Sequence, residues 1–340
     1  MTAAGDARLR RLYLVCPRCQ ASRFPLDDRL GIAGFVSPHA QRLLCLAGAS
    51  WSFDRAAAHL KEFCGLSVCD NTIRAACHDH GGAMRDWQRQ APAAAAAFRA
   101  ASGDVEFQTD GTAVNTTAGW REMRLSIFAK RHRGEPVAGR QDWEQRDLPA
   151  PHVRVIQAGI RTAAQLGPAW RRLAGRLGLR QTASVTAIAD GARWIWRQLD
   201  QYLPGCAGVL DVYHAVEQLA AAARAHFGEG SAAAGAWVEA RRATLLRGGA
   251  AALAGELRGA AWEAVRDYFA PHTGHTDYAG RLAAGQSIGS GLVEGACKQV
   301  IGRRLKQTGA RWKVRRVERM ASLCAVQASA QWEAYWAETI

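Results

Sequence analysis

The sequence has no run of about 18 consecutive apolar residues, the length that a membrane-spanning helix requires. Its N-terminal stretch MTAAGDARLRRLYLVCPRCQ has too short an apolar segment for a signal peptide, and a Cys-x-x-Cys pair follows at once. We therefore expect a cytoplasmic protein, associated with the nucleoid if it binds DNA. In that compartment the nine cysteines are reduced thiols or metal ligands and not a disulfide framework.

Acidic residues are scarce relative to basic ones. The 340 residues include 44 Lys and Arg against 30 Asp and Glu, which gives a net charge of +14. Such a surplus favours contact with phosphate backbones through non-specific, salt-sensitive binding. A merely soluble basic surface is the alternative interpretation, but the clustering of the charge described below favours nucleic acid. An apolar content of 49% argues against disorder.

The cysteines lack the second pair that a zinc ribbon needs. Cys16 and Cys19 form one possible zinc knuckle, whereas a structural zinc site takes four ligands and usually two such pairs. Two interpretations of residues 1–36 stay open: a zinc site that uses Cys16 and Cys19, and a degenerate knuckle without metal.

Residues 37–95 read as a helical unit. Ser52 is a suitable N-cap for the helix FDRAAAHLKEFC, a turn containing glycine follows, and a second helix starts at Asp70. Polar and basic side chains stand first on that second helix, as in a helix-turn-helix. Asn71, Thr72 and Arg74 are its candidate DNA contacts, and an ordinary helical hairpin is the alternative.

Residues 100–227 alternate between β-rich and helical segments. Two of the β-rich segments lead into an Asp-Gly pair, at Asp110 and Asp190, and the first is expected to end near Asp110. The order of hairpin, helix, strand, helix, strand and helix resembles the ribonuclease-H type of mixed sheet. Residues 228–285 are alanine-rich and predict a helical insertion before a third acid, Glu294, in residues 286–340.

Three carboxylates in these settings predict a site for hard divalent cations, Mg²⁺ or Mn²⁺. Two cations held by Asp110, Asp190 and Glu294 would support an in-line attack on a phosphodiester. Asp211 also follows a strand, with His214 three residues later. We expect Asp211 and His214 to play a supporting role, although the sequence leaves Asp211 open as the true second ligand.

A dense basic segment follows Glu294. Lys298 lies four residues after Glu294 and is expected on the same helix face. Basic residues beside an aromatic ring suit a DNA backbone and an unstacked base, and a solvated basic helix is the alternative. The predicted DNA contacts here are Lys298, Arg303, Arg304, Lys306, Arg311, Trp312 and Lys313.

Several motifs resemble bacterial insertion-sequence DDE transposases of the ISKra type, distant relatives of the Mutator-like transposases. The motifs are TDGTAV at 109–114, ADGARWIW at 189–196, LDVYHAVEQL at 210–219, GSGLVEGACKQVIGRRLKQTGARW at 289–312 and, more weakly, CPRCQ at 16–20 and SFDRAAAHL at 52–60. They span most of the chain, and the block at 289–312 is the most specific.

The resemblance implies an α/β fold with a ribonuclease-H-like mixed sheet, a helical insertion and a preceding helix-turn-helix region. It implies that Asp110, Asp190 and Glu294 are the metal-binding catalytic triad, and that Asp211 and His214 match the Asp-x-x-His element after the second acid. The implied function is DNA transposition, with double-stranded DNA carrying terminal inverted repeats, target DNA, and a homodimer or larger assembly as partners.

Three rival functions compete with the transposase interpretation. The first is an inactive or domesticated DNA-binding protein that retains the fold, and the second is a ribonuclease-H-like nuclease that cuts without joining. The third is a sugar hydrolase with paired carboxylates, which the basic charge disfavours.

Overall fold

The computed structural model describes residues 1–30, 32, 34–137, 143–179 and 182–340. The described chain begins with a short antiparallel hairpin of β1 (Leu14–Val15) and β2 (Ser22–Arg23), whose turn carries the Cys-x-x-Cys pair. Helix α1 (Pro25–Leu30) follows. Its Asp28 forms an ion pair with Arg23 at 2.5 Å.

Four helices come next: α2 (Pro38–Ser50), α3 (Phe53–Cys64), α4 (Asp70–Gln90) and α5 (Ala93–Ala100). Ser37 caps α2 by accepting a hydrogen bond from the Ala40 N–H at 3.3 Å. Gly65 ends α3 in the left-handed conformation, with a φ of 66°, which a glycine adopts without steric cost. The two helices and the glycine turn predicted between residues 52 and 82 are therefore present, and α4 extends further than expected.

The centre of the protein is a five-stranded mixed sheet. Its strands are β3 (Asp104–Thr116), β4 (Gly119–Arg131), β5 (Val153–Gly159), β6 (Val185–Ala189) and β7 (Ala207–Leu210). Their order is β5-β4-β3-β6-β7. Strand β4 is antiparallel to both β3 and β5, while β6 is parallel to β3 and β7 is parallel to β6. The protein is therefore a mixed α/β structure.

A buried ion pair joins β3 to β4, the two strands of the central hairpin. The Arg131 guanidinium donates to both carboxylate oxygens of Glu106, at 3.0 and 3.3 Å. The side chains are 10% and 5% exposed, respectively. Because Gln108 also donates to Glu106 at 3.4 Å, this buried carboxylate has partners on both strands.

Helices connect the parallel strands. Helix α6 (Ala163–Arg176) lies between β5 and β6, α7 (Arg193–Tyr202) lies between β6 and β7, and α8 (Val212–Phe227) follows β7. A capping box starts α6: Thr162 accepts from the backbone at Gln165, and the Gln165 side chain accepts from the Thr162 N–H at 3.0 Å.

The predicted insertion is helical in the structure. It contains α9 (Ala232–Glu256), α10 (Glu263–Phe269) and α11 (Tyr278–Ala283), with 3₁₀ turns at Ala260–Trp262 and Ala270–His275. Gly249 kinks α9 at a φ of 65°. A Cβ there would meet the Thr276 carbonyl oxygen at 2.8 Å, so the kink allows a close approach of the following loop.

The C-terminal part begins with α12 (Gly291–Ala296), a π-helical turn at Cys297–Gly302 and α13 (Arg303–Leu305). Helices α14 (Val314–Gln327) and α15 (Trp332–Thr339) complete the chain. Lys298 therefore lies in π geometry and not on a continuous α-helix with Glu294. The expectation that the two side chains share one face four residues apart does not apply here, because a π turn has more residues than an α turn.

Two hydrophobic clusters cover the two faces of the sheet. One joins Phe107, Val185 and Val209 to α6–α8 and to the insertion. The other joins the opposite faces of β3–β5 to α2–α4 and α12–α15, with Leu44, Met123 and Leu323 among its fully buried members. The N-terminal helices and the C-terminal helices thus share one core, which fixes both against the strands that carry the acids. Among the described residues, no helix is both long and apolar enough to cross a membrane.

Candidate metal centre

Three aspartates lie at matching positions along three neighbouring parallel strands: Asp110 within β3, and Asp190 and Asp211 directly after β6 and β7. Gln108 of β3 pairs with Ile188 of β6, and these residues stand two positions before Asp110 and Asp190. Ala189 pairs with Leu210 of β7, one position before Asp190 and Asp211. Because paired residues of parallel strands point to the same face and side chains alternate, the three carboxylates follow one row across the sheet.

Asp110 lies inside β3 and not at its end, which corrects the expectation from the Asp-Gly pair. Beyond Asp110 the strand continues to pair with β4 as far as Thr116, with Asp110 opposite Leu125. Its pairing with β6, in contrast, stops at Gln108. Asp110 therefore stands where β3 loses its parallel neighbour, so its half-buried carboxylate is at an opening in the sheet although the chain does not turn there.

Asp190 is the first residue after β6, as the sequence predicted. One carboxylate oxygen accepts a hydrogen bond from the Ala192 N–H at 2.9 Å. The Trp196 indole donates to the Asp190 carbonyl at 2.8 Å. The half-buried side chain keeps its second carboxylate oxygen free of protein donors within the described residues.

The insertion closes over Asp190 through Tyr268. A Cβ on Gly191 would meet Cζ and Oη of Tyr268 at 2.6 Å, so glycine is required where the ring lies on the loop. Burial raises the pKa of Tyr268, and the negative charges of Asp190 and Asp211 raise it further. The phenol is therefore neutral and stands beside the acidic row.

Asp211 is fully buried and is saturated with hydrogen bonds. Its Oδ1 caps α8 by accepting from the N–H groups of Tyr213 at 2.6 Å and His214 at 3.2 Å. Its Oδ2 accepts from the Ser290 N–H at 2.6 Å and from the Ser290 hydroxyl. Burial opposes ionisation, but the hydrogen bonds from His214 and Ser290 outweigh it and lower the pKa of Asp211.

His214 lies 3.6 Å from Asp211, measured from Nδ1 to Oδ2, and its side chain is 39% exposed. The interaction with Asp211 raises the pKa of His214 to about 9 against the opposing effect of burial, and the charges of Glu217 and Asp190 add to the rise. The neighbouring acids therefore favour the protonated form of His214.

Glu294 comes from α12, one turn after Ser290. Its Oε1 lies 3.2 Å from the Ser290 hydroxyl, and the side chain is half-buried. The preceding residue, Val293, donates its N–H to Gln108 Oε1 at 3.0 Å. This hydrogen bond fixes α12 to β3 two residues before Asp110. The π turn begins three residues after Glu294, and π turns occur often at functional sites.

One group of three possible metal-ligating side chains is assembled within the described ranges. Donor atoms of Asp211, His214 and Glu294 all lie within 4.8 Å of one another. Asp110 and Asp190 are not in that group. Glu294 of the predicted triad therefore lies next to Asp211 and His214, the predicted supporting pair.

Asp110 has its own neighbours from the C-terminal segment. Burial, the charge of Asp110 and a hydrogen bond to it raise the pKa of the Cys297 thiol to about 12, and Glu294 contributes to the same rise. Lys306 donates a hydrogen bond from Nζ to Thr112, two residues after Asp110. Cys297 and Lys306 thus tie the segment after Glu294 to the strand that carries Asp110.

The basic segment divides into exposed and buried residues. Arg304 is only 3% exposed; it donates from Nε to the Gly48 carbonyl at 2.6 Å and stacks on Phe53 and Trp312, with its guanidinium carbon 4.6 and 5.2 Å from the ring centroids. The Trp312 indole donates to the Leu305 carbonyl at 3.0 Å. The burial of Arg304 departs from its predicted DNA contact, while Trp312 is half-buried beside it and its predicted DNA contact stays a prediction. The exposed members of the segment are Lys298, Arg303, Lys306, Arg311 and Lys313.

The candidate contacts on α4 lie at its N-terminal end. Asn71 is exposed, and Thr72 and Arg74 are half-buried. The Thr72 hydroxyl lies 3.2 Å from the Cys69 thiol, so that side chain is engaged within its own turn. Asn71 and Arg74 remain available at the surface.

The Cys-x-x-Cys pair sits in the hairpin turn, with Cys16 half-buried and Cys19 exposed. Hydrogen bonds from the Cys19 and Arg18 backbone and from the Cys19 side chain lower the pKa of Cys16, which favours the thiolate that a metal requires. Two thiols are half of a structural zinc set, and the described chain offers no group of three ligands here.

Sequence reasoning missed Ser290 and Tyr268. The available signal for Ser290 is the Gly-Ser-Gly element at 289–291, which places a serine directly before the helical segment of Glu294. Tyr268 lies in the insertion and gave no local signal, because its contact with Gly191 spans distant parts of the chain. In comparisons with known proteins, no family model matches this chain, and no curated protein matches it.

Proposed function

We propose that this protein is a DNA transposase that cleaves and transfers DNA strands at the ends of an insertion sequence, and that its sheet is of the ribonuclease-H type. The strand order is β5-β4-β3-β6-β7, with only β4 antiparallel to the rest, and this mixed sheet supports the assignment. The helical insertion between β7 and α12 supports the same assignment.

The observation that carries the proposal is the parallel register of β3 and β6, which pairs Gln108 with Ile188 and places Asp110 and Asp190 at equal distances beyond that pair. Each is half-buried, and each has one carboxylate oxygen bonded to a nearby backbone N–H, from Gly111 at 2.6 Å and from Ala192 at 2.9 Å. Apart from the Cys297 thiol at Asp110, no further donor among the described residues competes with a hard cation for these two carboxylates. Glu294 supplies a third carboxylate from the helix that Gln108 anchors to the same strand.

The donor set suits Mg²⁺ or Mn²⁺, because Asp110, Asp190 and Glu294 offer oxygen ligands only. If held there, divalent cations would activate a water molecule or a DNA 3′-hydroxyl for attack and would stabilise the leaving oxygen of the phosphodiester. The chain itself orients the carboxylates through Ser290, Gln108 and Ala192, and no covalent nucleophile is required. Asp211 and His214 support the site, since the four donors to Asp211 leave its oxygens little capacity for a cation.

DNA is the proposed partner. The exposed basic residues that follow Glu294 are placed to contact the backbone next to the site, and α4 of the proposed helix-turn-helix would read the terminal inverted repeats. Cutting at both ends of an element implies a homodimer or a larger assembly that also holds the target DNA. Because the substrate is chromosomal DNA, the proposed activity takes place at the nucleoid.

Strand cleavage tests the proposal. The substrate is a labelled duplex that carries the end of the element encoding the chain, with Mg²⁺ or Mn²⁺, and the comparison is wild type against Glu294→Ala. Cleavage at the repeat end that disappears in the variant supports the assignment, and joining of the cut 3′-end to a second duplex separates a transposase from a nuclease. Binding without cleavage in the wild type would instead indicate a repurposed DNA-binding protein.

A further inference from the structure

A cavity of about 690 Å³ opens at the outer edge of the sheet, beside β5. Its walls come from α4, α6, α14 and the segment after β5. Four arginines and a single acid line it: Arg89, Arg161, Arg172, Arg176 and Glu318. We name it the arginine cavity. A pocket of this size, lined mainly by cations, suits an anionic ligand.

Arg161 is the central group of the arginine cavity. It is half-buried, yet its guanidinium makes no hydrogen bond or ion pair to the described residues. Burial lowers its pKa, and the positive charge of Arg89 lowers it further, while Glu318 opposes the change. A half-buried cation without a partner is costly unless a ligand supplies the missing negative charge.

The four arginines are not equivalent. Arg176 donates to the carbonyls of Arg89 and Ala91, both at 2.6 Å, and so ends α4 by satisfying its last carbonyls. Arg176 therefore has a structural role. Arg161 and the exposed Arg172 remain as two cations without a hydrogen bond or ion pair to the described residues, and Glu318 is the one acid that shares the cavity with them.

The arginine cavity lies at the same end of the sheet as the acidic row. Asp110 pairs with Leu125, and Leu125 pairs with Ala158 of β5. Adjacent strands are about 4.8 Å apart, so Ala158 lies roughly 10 Å from Asp110. Arg161 is three residues beyond Ala158, past the end of β5. One strand of DNA at the acidic row could thus extend to the arginine cavity within a few nucleotides.

We propose that the arginine cavity binds backbone phosphates of the DNA strand that continues from the acidic row, through Arg161 and Arg172. The inference rests on the proposed function, because it takes the acidic row as the place of strand cleavage. It adds a second contact at the β5 edge, separate from the basic segment after Glu294 and from α4. The contact is to phosphate and is therefore independent of base sequence.

The test measures binding of a fluorescent duplex of mixed sequence across a series of salt concentrations, with chelator in place of divalent metal. The variant is Arg161→Gln/Arg172→Gln. The control, Arg171→Gln/Arg224→Gln, removes the same charge: Arg171 is the exposed neighbour of Arg172 on α6, Arg224 is exposed on α8, and neither lines the cavity. We expect the affinity of the variant to fall roughly ten-fold and its salt slope to fall by about 2, since each lost phosphate contact removes about 0.9.

A second readout separates ligand binding from a structural role. Because Arg161 and Arg172 have no protein partner, their replacement should leave the melting temperature unchanged or raise it. Equal loss of affinity in variant and control would overturn the proposal, since net charge alone would then account for binding. So would normal DNA binding in the variant together with lost binding of inorganic phosphate, which would assign the cavity to a small anion.

These measurements also distinguish a failure of the proposed function from a failure of the proposed phosphate contact in the arginine cavity. If the wild type binds DNA through Arg161 and Arg172 but never cleaves a repeat end with Mg²⁺ or Mn²⁺, the arginine cavity stands and the transposase assignment falls. If the wild type cleaves and the variant binds as tightly as the control, the assignment stands and the arginine cavity falls. A wild type that does not bind the duplex overturns both.

Discussion

Ser290 donates two hydrogen bonds to one carboxylate oxygen of Asp211, from its N–H at 2.6 Å and from its hydroxyl. The hydroxyl also lies within hydrogen-bond distance of Glu294 Oε1, at 3.2 Å, so its single proton is shared between the two carboxylates. Ser290 therefore links Glu294 to Asp211, and Asp211 fixes the start of α12. The same buried carboxylate caps α8, which joins the end of β7 to both helices.

Asp190 and Asp211 are expected to respond differently to replacement by alanine. Asp190→Ala loses one hydrogen bond, so its free energy of unfolding should change by about 1 kcal/mol while strand cleavage is abolished. Asp211→Ala leaves four buried or half-buried donors without their acceptor and should lower the free energy of unfolding by about 2–4 kcal/mol. Urea titration and the cleavage assay measure the two effects. Cleavage retained in Asp190→Ala but lost in a folded Asp211→Ala would reverse the two roles.

Gly191→Ala should damage both stability and cleavage. The new methyl group would overlap the Tyr268 ring, and overpacking of this kind costs about 1–3 kcal/mol. Gly175→Ala on α6 is the matched control, because a Cβ there has open space and alanine favours the helix by roughly 0.5–1 kcal/mol. In a Tyr268→Ala background, Gly191→Ala should lower the melting temperature much less than it does in the wild type, since the overlapping ring is gone; an equal loss in both backgrounds would mean that the ring is not the cause.

Arg303 and Arg304 are adjacent and should behave as opposites. Arg304→Met removes the hydrogen bond to Gly48 and the stacking on Phe53 and Trp312, which should lower the free energy of unfolding by about 2 kcal/mol. Arg303→Gln changes an exposed side chain and should weaken DNA binding at unchanged stability. Thermal melts and a DNA titration distinguish these outcomes. If both variants fold and weaken DNA binding equally, Arg304 contacts DNA as the sequence predicted.

The Glu106–Arg131 pair should be sensitive to the loss of either partner. Arg131→Met leaves the carboxylate of Glu106 buried without its cation, which costs about 3–5 kcal/mol. Glu106→Gln combined with Arg131→Met should recover a large part of that loss, since no buried charge is left. Chemical denaturation of the two single variants and the double variant gives the coupling energy. A double variant as unstable as the sum of the singles would show that the pair is not coupled.

His78 should make the protein less stable in acid. Burial and the charges of Arg316, Arg319 and Arg74 lower the pKa of His78 to about 4, below the value of about 6.5 for an unfolded chain. The folded state therefore binds fewer protons between pH 6.5 and 4, and stability falls as the pH drops through that window, by at most about 3 kcal/mol. In His78→Leu the urea midpoint should depend less on pH across the same range. An unchanged pH dependence would show that other groups account for the acid sensitivity.

Much of the site could be predicted from local patterns. The β-rich run before Asp190, the helix after Asp211 and the helical insertion are all present, because turn residues and periodicity report on neighbours in the chain. The strand of Asp110 continues to Thr116 because β4 pairs with it throughout. An Asp-Gly pair favours a turn, but a long antiparallel partner overrides that preference.

What could not be predicted depends on contacts between distant residues. The burial of Arg304 depends on Gly48, some 250 positions earlier, and the arginine cavity combines α4, α6 and α14. A run of basic residues has the same composition whether its members face solvent or the core. Helical periodicity also does not predict which side chains share a face here, because the π turn at Cys297–Gly302 changes the number of residues per turn.

The common row of Asp110, Asp190 and Asp211 makes the length of β6 more important than its composition. Val185, Ala187 and Ala189 are buried apolar residues that other small or branched apolar residues could replace. Inserting or deleting one residue between Val185 and Asp190 would turn the Asp190 side chain to the opposite face of the sheet. Natural and laboratory variation in this strand should therefore tolerate many substitutions and exclude any change in residue number.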